Sequence, residues 1–183
     1  PFEKDFYRAH GIDVEQAEFV GNPIVDMVNW PELKTISPQP GLVGIMPGSR
    51  RAEVNGLMPA FGETARLLRK SRPDLKFVCL RAPNIEEKRL RELWPADIPL
   101  DMADPEERYK AMRSCAMLLA ASGTATLEAA LAGTPTILAY KISSLSYEVG
   151  KRVIKVPWVG LPNLILDKEI FPECLQDKPN PDN

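Results

Sequence analysis

The segment at residues 116–133, AMLLAASGTATLEAALAG, constrains the fold more than any other part of the chain. Its first residues are continuously apolar, as in a strand that is buried on both faces of a sheet. The run breaks at Ser-Gly-Thr-Ala-Thr and resumes with helical spacing up to Gly133, with Pro135 just beyond. A strand that leads directly into a helix brings free backbone amides and the positive end of the helix dipole to one point. Such a point favours anions.

Strand-like and helix-like patterns alternate along the middle of the chain. Because the strand candidates are apolar throughout, they are typical of a parallel sheet covered on both faces. We therefore predict a doubly wound, Rossmann-like α/β domain with ligands at the carboxyl ends of the strands. Pro59 interrupts the first helical pattern and predicts a kink, or a short turn before the main helix. In this part of the chain the predicted strands are 42–46, 74–80, 98–102, 116–121 and 136–140, and the predicted helices are 54–68, 85–93, 105–112, 124–132 and 146–153. A short helix and then a strand near residues 17–20 are predicted before them.

The composition argues against several classes of function. The net charge of −2 gives no general electrostatic reason to bind nucleic acid, so we expect no such partner. No apolar run approaches the roughly 20 residues that a membrane span requires. The three cysteines are odd in number and far apart, as expected for reduced cytoplasmic thiols. His10 is the only histidine, which leaves little material for His–Cys metal sites or His-based triads.

A second junction between a strand and a helix, which we call a joint, is predicted upstream, in MPGSRRAEV at residues 46–54. Gly48 would let the backbone approach a ligand, Ser49 can cap or donate, and Arg50 offers a planar fork suited to phosphate oxygens. The alternative is an ordinary strand–helix turn with a surface arginine. The three-glycine dinucleotide fingerprint and the P-loop Gly-Lys-Ser/Thr are both absent. Two such joints in one α/β unit indicate a diphosphate ligand.

The turn at residues 122–126 has both a structural and a functional interpretation. Ser122 or Thr124 could simply cap the following helix. Glu128 falls in the first turns of that helix, where a carboxylate suits the helix dipole. The same carboxylate could accept hydrogen bonds from two ribose hydroxyls if the phosphates bind the amides. Paired acids such as Asp101 and Asp104 form no convincing metal motif. Without a metal ion, Arg50 and the two helix N-termini would have to neutralise the charge of the diphosphate.

The segment at residues 151–165, KRVIKVPWVGLPNLI, combines basic and aromatic residues. One hypothesis is a patch that touches a membrane surface or a lipid substrate, formed by Lys151, Arg152, Lys155 and Trp158. The favoured alternative is a helix end followed by a strand packed in the core. Asn163 is a polar group in an apolar run, either a turn residue or an amide directed at a ligand.

Several of these segments together resemble the C-terminal half of lipid-A-disaccharide synthase, a glycosyltransferase of the GT-B architecture. They are FVGNPIVD at 19–26, MPGSRRAEV at 46–54, AASGTATLEAALAGTP at 120–135 and KRVIKVPWVGLPNLI at 151–165. The resemblance extends to Pro-Glu-Cys-Leu-Gln at 172–176 and covers nearly the whole chain in order. It implies transfer of 2,3-diacylglucosamine from its UDP carrier to 2,3-diacylglucosamine 1-phosphate. The products are a tetraacyl disaccharide 1-phosphate and UDP, and the anomeric centre is inverted.

The resemblance also implies roles for particular residues. Arg50 matches the family's donor-phosphate arginine, residues 122–126 match its phosphate turn, and Glu128 matches its ribose carboxylate. Asn163 and Gln176 match polar positions of the donor site. A UDP-sugar is then the substrate, and neither a cofactor nor a metal ion is expected. The complete set of expected donor-binding residues is Gly48, Ser49, Arg50, Ser122, Gly123, Thr124, Thr126, Glu128, Asn163 and Gln176.

The family's general base and much of its acyl-chain surface belong to an N-terminal domain, which would precede Pro1. Residues 1–30 would then be the end of that domain or the connection from it, and residues 31–183 the C-terminal nucleotide-sugar-binding domain. We expect this chain alone to bind a uridine nucleotide weakly and not to catalyse transfer. The expected partners are UDP-diacylglucosamine, the lipid acceptor and the N-terminal domain. The expected location is the cytoplasm, and peripheral contact with the inner membrane stays open.

The chain departs from the family pattern at a few positions. Asn22 stands where many members have histidine, Gly160 replaces a common serine, and residues 166–168 replace a usual Ala-Gly-Arg. Two other functions stay open. A UDP-N-acetylglucosamine 2-epimerase would share the architecture and a similar turn followed by Glu, although the Leu-Pro-Asn segment and the PGSRRAEV joint argue against it. A non-catalytic UDP-sugar-binding module would keep the site without the transfer reaction.

Overall fold

A computed structural model describes residues 2–15, 18, 20–141 and 158–175 of the chain. The helix predicted at 146–153, the basic residues Lys151, Arg152 and Lys155, and Gln176 lie outside these residues. Trp158, the remaining member of the proposed basic and aromatic patch, is half-buried.

The described residues build one six-stranded sheet in which every strand pair is parallel. The spatial order is β3-β2-β1-β4-β5-β6, which is the order of a doubly wound fold. The predicted Rossmann-like α/β class is therefore confirmed. Each of the five strands predicted between residues 42 and 140 is present, and a further strand, β6, lies at one edge. The strand predicted near residues 17–20 falls partly outside the described residues. The strands are β1 (Gln39–Met46), β2 (Lys76–Cys79), β3 (Asp101–Met102), β4 (Cys115–Ala121), β5 (Thr136–Tyr140) and β6 (Glu173–Leu175).

Helices connect the strands, and two of them differ from the sequence-based expectation. The first long helix continues through Pro59, so the alternative of a short turn before the main helix is wrong. Residues 161–166, interpreted as a core-packed strand, form a helix; Pro162 fits its first turn, where backbone N–H groups have no intrahelical acceptor. The helices are α1 (Phe2–Ala9), α2 (Ile24–Met27), α3 (Trp30–Leu33), α4 (Arg51–Ser71), α5 (Glu87–Leu93), α6 (Arg108–Ser114), α7 (Thr124–Ala132) and α8 (Leu161–Leu166), with a 3-10 turn at Pro105–Glu107.

Two apolar cores lie against the sheet, one on each face. Successive residues of β4 enter opposite cores: Leu118 packs in one cluster and Leu119 in the other, because side chains of a strand alternate between faces. This explains why β4 is apolar throughout. Val28 and Leu33 pack in the same cluster as Leu118, so the polypeptide on both sides of residue 30 contributes to that core.

Candidate functional site

A cleft of about 590 Å³ lies at the carboxyl ends of the strands. β1 and β4 are neighbours in the sheet, and their connections leave toward opposite directions of the strand order. This reversal is the topological switch point, where doubly wound folds bind ligands. Both predicted joints line the cleft. Seven of the expected donor-binding residues are among its lining: Gly48, Ser49, Arg50, Ser122, Gly123, Thr124 and Glu128.

The N-terminus of α7 presents unused backbone donors to this cleft. The Ser122 N–H donates to the Ala139 carbonyl at 3.0 Å, and the Ser122 hydroxyl donates to the Val159 carbonyl at 3.2 Å. Within the described part of the chain, the N–H groups of Gly123, Thr124 and Ala125 have no acceptor. Gly123 has φ +151° and ψ −164°, a conformation that L side chains rarely adopt. The turn therefore has the unpaired backbone donors that the predicted anion site needs.

Thr126 does not reach the cleft. Its side chain is fully buried, and its hydroxyl donates to the Gly123 carbonyl at 2.7 Å. The expected donor-binding role of Thr126 is therefore corrected to a structural one. A Thr or Ser side chain that bonds a carbonyl three residues earlier stabilises the turn itself.

The turn before α4 differs from the turn before α7, because two of its N–H groups already have a carboxylate acceptor. The Glu53 carboxylate accepts the N–H groups of Ser49 and Arg50 at 3.2 Å each, and the Arg50 guanidinium at 3.0 Å. A Cβ at Gly48, where φ is +103°, would lie 2.6 Å from Glu53 Oε2. Gly48 thus admits the Glu53 carboxylate rather than a ligand. Glu53 therefore occupies the turn before α4, and the exposed Arg50 side chain is the charged donor that this turn offers to the cleft. That both helix N-termini face a diphosphate stays a prediction.

Glu53 could have been found from the sequence. A glutamate at the third helical position after an N-cap residue is the second half of a capping box, in which its side chain accepts the N-cap N–H. Arg50 is the N-cap of α4 and Glu53 is its third residue.

Glu128 also has partners that the sequence reasoning missed. Arg108 Nη2 lies 2.5 Å from Glu128 Oε2, and the Tyr109 hydroxyl lies 3.4 Å from Oε1. The Arg108 and Glu128 side chains are 24% and 15% exposed, so solvent screens this pair only partly. Burial, and then the Glu128 charge, raises the pKa of Tyr109, which keeps its hydroxyl protonated. The position of Arg108 and Tyr109 after β3 places them at this edge of the sheet, but it does not indicate that they pair with Glu128.

Asn163 lies in the core and not in the cleft. Its Nδ2 donates to the Phe171 carbonyl at 2.7 Å and to Glu173 Oε1 at 2.8 Å. Its Oδ1 accepts the N–H groups of Ile170 at 2.9 Å and Phe171 at 3.0 Å. The amide has two donor hydrogens and two lone pairs, and all four are used within the chain. The ligand-directed role expected for Asn163 is therefore corrected to a structural one.

Glu173 completes this network at the edge of the sheet. Its carboxylate also accepts the N–H groups of Val159 and Gly160, each at 2.9 Å. A Cβ at Gly160 would lie 2.3 Å from Leu138 Cδ1, so a larger residue there would displace the end of this leucine side chain. Asn163 and Glu173 together connect α8 to β6 and to the segment just before that strand.

The charged lining of the cleft is nearly balanced. Among the described residues it comprises the arginines Arg50 and Arg108 and the glutamates Glu53, Glu106 and Glu128. No described group of three or more His, Cys, Asp or Glu residues could hold a metal ion. Burial raises the pKa of the Cys79 and Cys115 thiols to about 12, so neither supplies a thiolate nucleophile near neutral pH. None of the described helices combines the length and the apolar character needed to cross a membrane.

The chain is similar in sequence to proteins of one family. The model of the lipid-A-disaccharide synthetase family matches residues 1–183. A lipid-A-disaccharide synthase of Persephonella marina is 34% identical over 100% of this chain and 51% of its own length. One from Geobacter sulfurreducens is 37% identical over 100% of this chain and 48% of its own length. The chain therefore spans about half the length of these relatives.

Solved structures with the same fold are more distant in sequence. A UDP-N-acetylglucosamine 2-epimerase of Neisseria meningitidis, solved with UDP-GlcNAc, is 20% identical with a TM-score of 0.56. The match covers 90% of this chain and 49% of that one. A UDP complex of MnaA from S. aureus is 16% identical with a TM-score of 0.53, over 90% of this chain and 48% of that one. At these identities the likeness concerns the fold.

Proposed function

Because this chain belongs to the lipid-A-disaccharide synthetase family, we propose that it forms the UDP-sugar-binding part of a glycosyltransferase of lipid A biosynthesis. The reaction would transfer 2,3-diacylglucosamine from UDP-2,3-diacylglucosamine to 2,3-diacylglucosamine 1-phosphate. The products would be a tetraacyl disaccharide 1-phosphate and UDP. The observation that carries the proposal is the open N-terminus of α7, which faces a cleft at the switch point of the sheet.

The cleft suggests how each part of the nucleotide is held. The diphosphate would accept the free N–H groups of residues 123–125, and the helix dipole would add to this attraction. Arg50, whose side chain is 81% exposed, would supply a charged donor from the opposite joint. Glu128 would accept the ribose hydroxyls. In this arrangement Arg50 and the α7 amides bind the diphosphate without a metal ion.

Other groups that the reaction needs would come from outside this chain. The general base and the acyl-chain surface would come from the other half of a full-length protein, as an N-terminal domain. The partners would be the UDP-sugar, the lipid acceptor and that domain. The acceptor is a lipid, so we place the enzyme in the cytoplasm with peripheral contact to the cytoplasmic face of the inner membrane.

The epimerase alternative has the fold in its favour, since the solved structures with this fold include 2-epimerases. The family match over residues 1–183 favours the synthase instead. Product analysis separates the two. Full-length protein incubated with UDP-N-acetylglucosamine should give no 2-epimer, whereas incubation with the two acylated substrates should give disaccharide and UDP. Binding of UDP without either reaction would favour the non-catalytic module.

The nucleotide assignment is tested by titrating UDP into the full-length protein. Arg50→Ala should weaken binding by about 1.5–3 kcal/mol, the range for hydrogen bonds to charged groups. Arg51→Ala is the matched control, because Arg51 is the exposed neighbour of Arg50 and does not line this cleft. Its affinity for UDP should be unchanged. If Arg50→Ala binds UDP as well as the control does, the diphosphate assignment is wrong.

A further inference from the structure

The ion pair between Arg108 and Glu128 joins two helices at the edge of the cleft. Arg108 is the first residue of α6, Glu128 lies in α7, and both line the cleft that the α7 amides face. We propose that Arg108 is a positioning residue, which holds the Glu128 carboxylate oriented for two ribose hydroxyls and thereby sets the preference for a ribonucleotide. The inference rests on the proposed function, because it takes the ligand to be a uridine diphosphate.

The contacts of Glu128 leave acceptor capacity that faces the cleft. Arg108 occupies one position on Oε2, and among the described residues Oε1 has only the long contact of 3.4 Å with the Tyr109 hydroxyl. An ionised carboxylate has about four lone-pair positions. Two hydroxyl donors can therefore bind while the ion pair is kept, and the arginine need not leave when the nucleotide enters.

The geometry of Arg108 differs from that of an ion pair that is optimal for stability alone. An arginine that pairs with a carboxylate through two parallel N–H bonds gains most. Here Arg108 donates to Glu128 through Nη2 alone. The Nε of Arg108 is buried and has no partner within the described residues. A buried donor without a partner is unfavourable. The carboxylate is thus held to one side of the guanidinium, in the position where it lines the cleft.

Arg108 also neutralises the charge of Glu128 in the cleft. Arg50 already donates to Glu53, so it does not neutralise Glu128. Without Arg108, the Glu128 carboxylate would stand partly buried and uncompensated close to a diphosphate. Such a group either repels the ligand or turns toward solvent, and in both cases the ribose loses its acceptor.

The experiment compares UDP with 2′,3′-dideoxy-UDP, which keeps the base and diphosphate but lacks both hydroxyls. Affinities are measured by calorimetry on the full-length protein, for wild type, Arg108→Gln, Arg108→Lys, Glu128→Gln and the double variant Arg108→Gln/Glu128→Gln. Wild type should prefer UDP by at least about 100-fold, because each of the two hydrogen bonds to a charged group contributes about tenfold or more in affinity. Arg108→Gln and Glu128→Gln should each reduce this preference to within about threefold of unity, and the double variant should match Glu128→Gln.

The matched control is Arg113→Gln on the same helix. Arg113 donates to the carbonyls of Ile36 and Gly133, so its loss affects packing but not the cleft. It should lower the melting temperature and leave the preference for UDP unchanged. Arg108→Lys, which keeps the charge, should retain part of the preference.

The outcomes separate this inference from the function on which it rests. A wild-type protein that binds UDP and dideoxy-UDP equally, or neither of them, contradicts the ribose or nucleotide assignment itself. A wild-type preference that survives in Arg108→Gln overturns the positioning role alone. The role is also overturned if the effects of Arg108→Gln and Glu128→Gln on the preference add in the double variant, since the two residues would then act independently.

Discussion

Replacing Asn163 by alanine tests whether this amide belongs to the core or to the ligand site. The substitution removes four hydrogen bonds of 2.7–3.0 Å around a side chain with no solvent exposure. Each such bond contributes about 1 kcal/mol net, and a buried group left without a partner costs about 1–3 kcal/mol. Partial entry of water into the space lowers this sum. We expect a loss of about 3–4 kcal/mol in the free energy of unfolding.

The assay is urea unfolding of the chain, followed by thermal unfolding. A loss of this size corresponds to a decrease of about 6–16 °C in Tm for a domain of this length. Asn55→Ala is the matched control, since Asn55 is exposed and makes its contacts with Arg89 at the surface. Its free energy of unfolding should change by less than about 0.5 kcal/mol. Asn163→Asp should destabilise at least as much as Asn163→Ala, because it loses both donors and places a second carboxylate beside Glu173.

UDP affinity provides the result that would refute this reasoning. Under conditions where the variant is folded, Asn163→Ala should bind UDP within about twofold of wild type, because the amide has no free group to offer a ligand. A tenfold or larger loss of affinity with an unchanged free energy of unfolding would show that Asn163 is a donor-site residue after all.

Two further predictions concern glycine and cysteine positions. Gly48→Ala should destabilise the chain by about 1–3 kcal/mol in urea unfolding, because its φ is +103° and the new Cβ would lie 2.6 Å from Glu53 Oε2. Gly56→Ala, inside α4 with its nearest contact at 3.7 Å, should instead stabilise it by about 0.5–1 kcal/mol. Burial raises the pKa of Cys79 and Cys115 to about 12, against 9.0 when unfolded. Because the folded chain disfavours the thiolates, their contribution to the free energy of unfolding is complete below pH 9 and is lost as the pH rises toward 12. Iodoacetamide at pH 8.5 should therefore modify the partly buried Cys174 first, and equal rates at all three thiols in the folded chain would contradict this.

The sequence predicted the sheet well because its strands are buried on both faces. An apolar run such as β4 must place successive residues in two different cores, and only a covered parallel sheet provides both. The turn of α7 was equally readable, since Gly123 and the helical spacing after it fix where the free amides lie. These features depend on local composition and period alone.

Long-range contacts explain what the sequence could not predict. α8 was misread as a strand because LPNLIL is too short and apolar to show a helical period, and its stability comes from Asn163 binding residues 170, 171 and 173. The pairing of Arg108 with Glu128 spans 20 positions and depends on how α6 packs beside α7. β6 has only three residues and is defined by its pairing with β5.

The two glycine turns before α4 and α7 look alike in sequence yet have opposite consequences. Each follows a strand at the same edge of the sheet, and each begins a helix with free N–H groups. The difference is an acidic residue in the first turn: α4 has Glu53 there, whereas α7 has none, and Glu128 lies one turn further on. The Glu53 carboxylate reaches back to the N–H groups of Ser49 and Arg50, in the turn before α4. That turn therefore already holds a negative group, which disfavours a second anion beside it, whereas the first turn of α7 has no acidic residue.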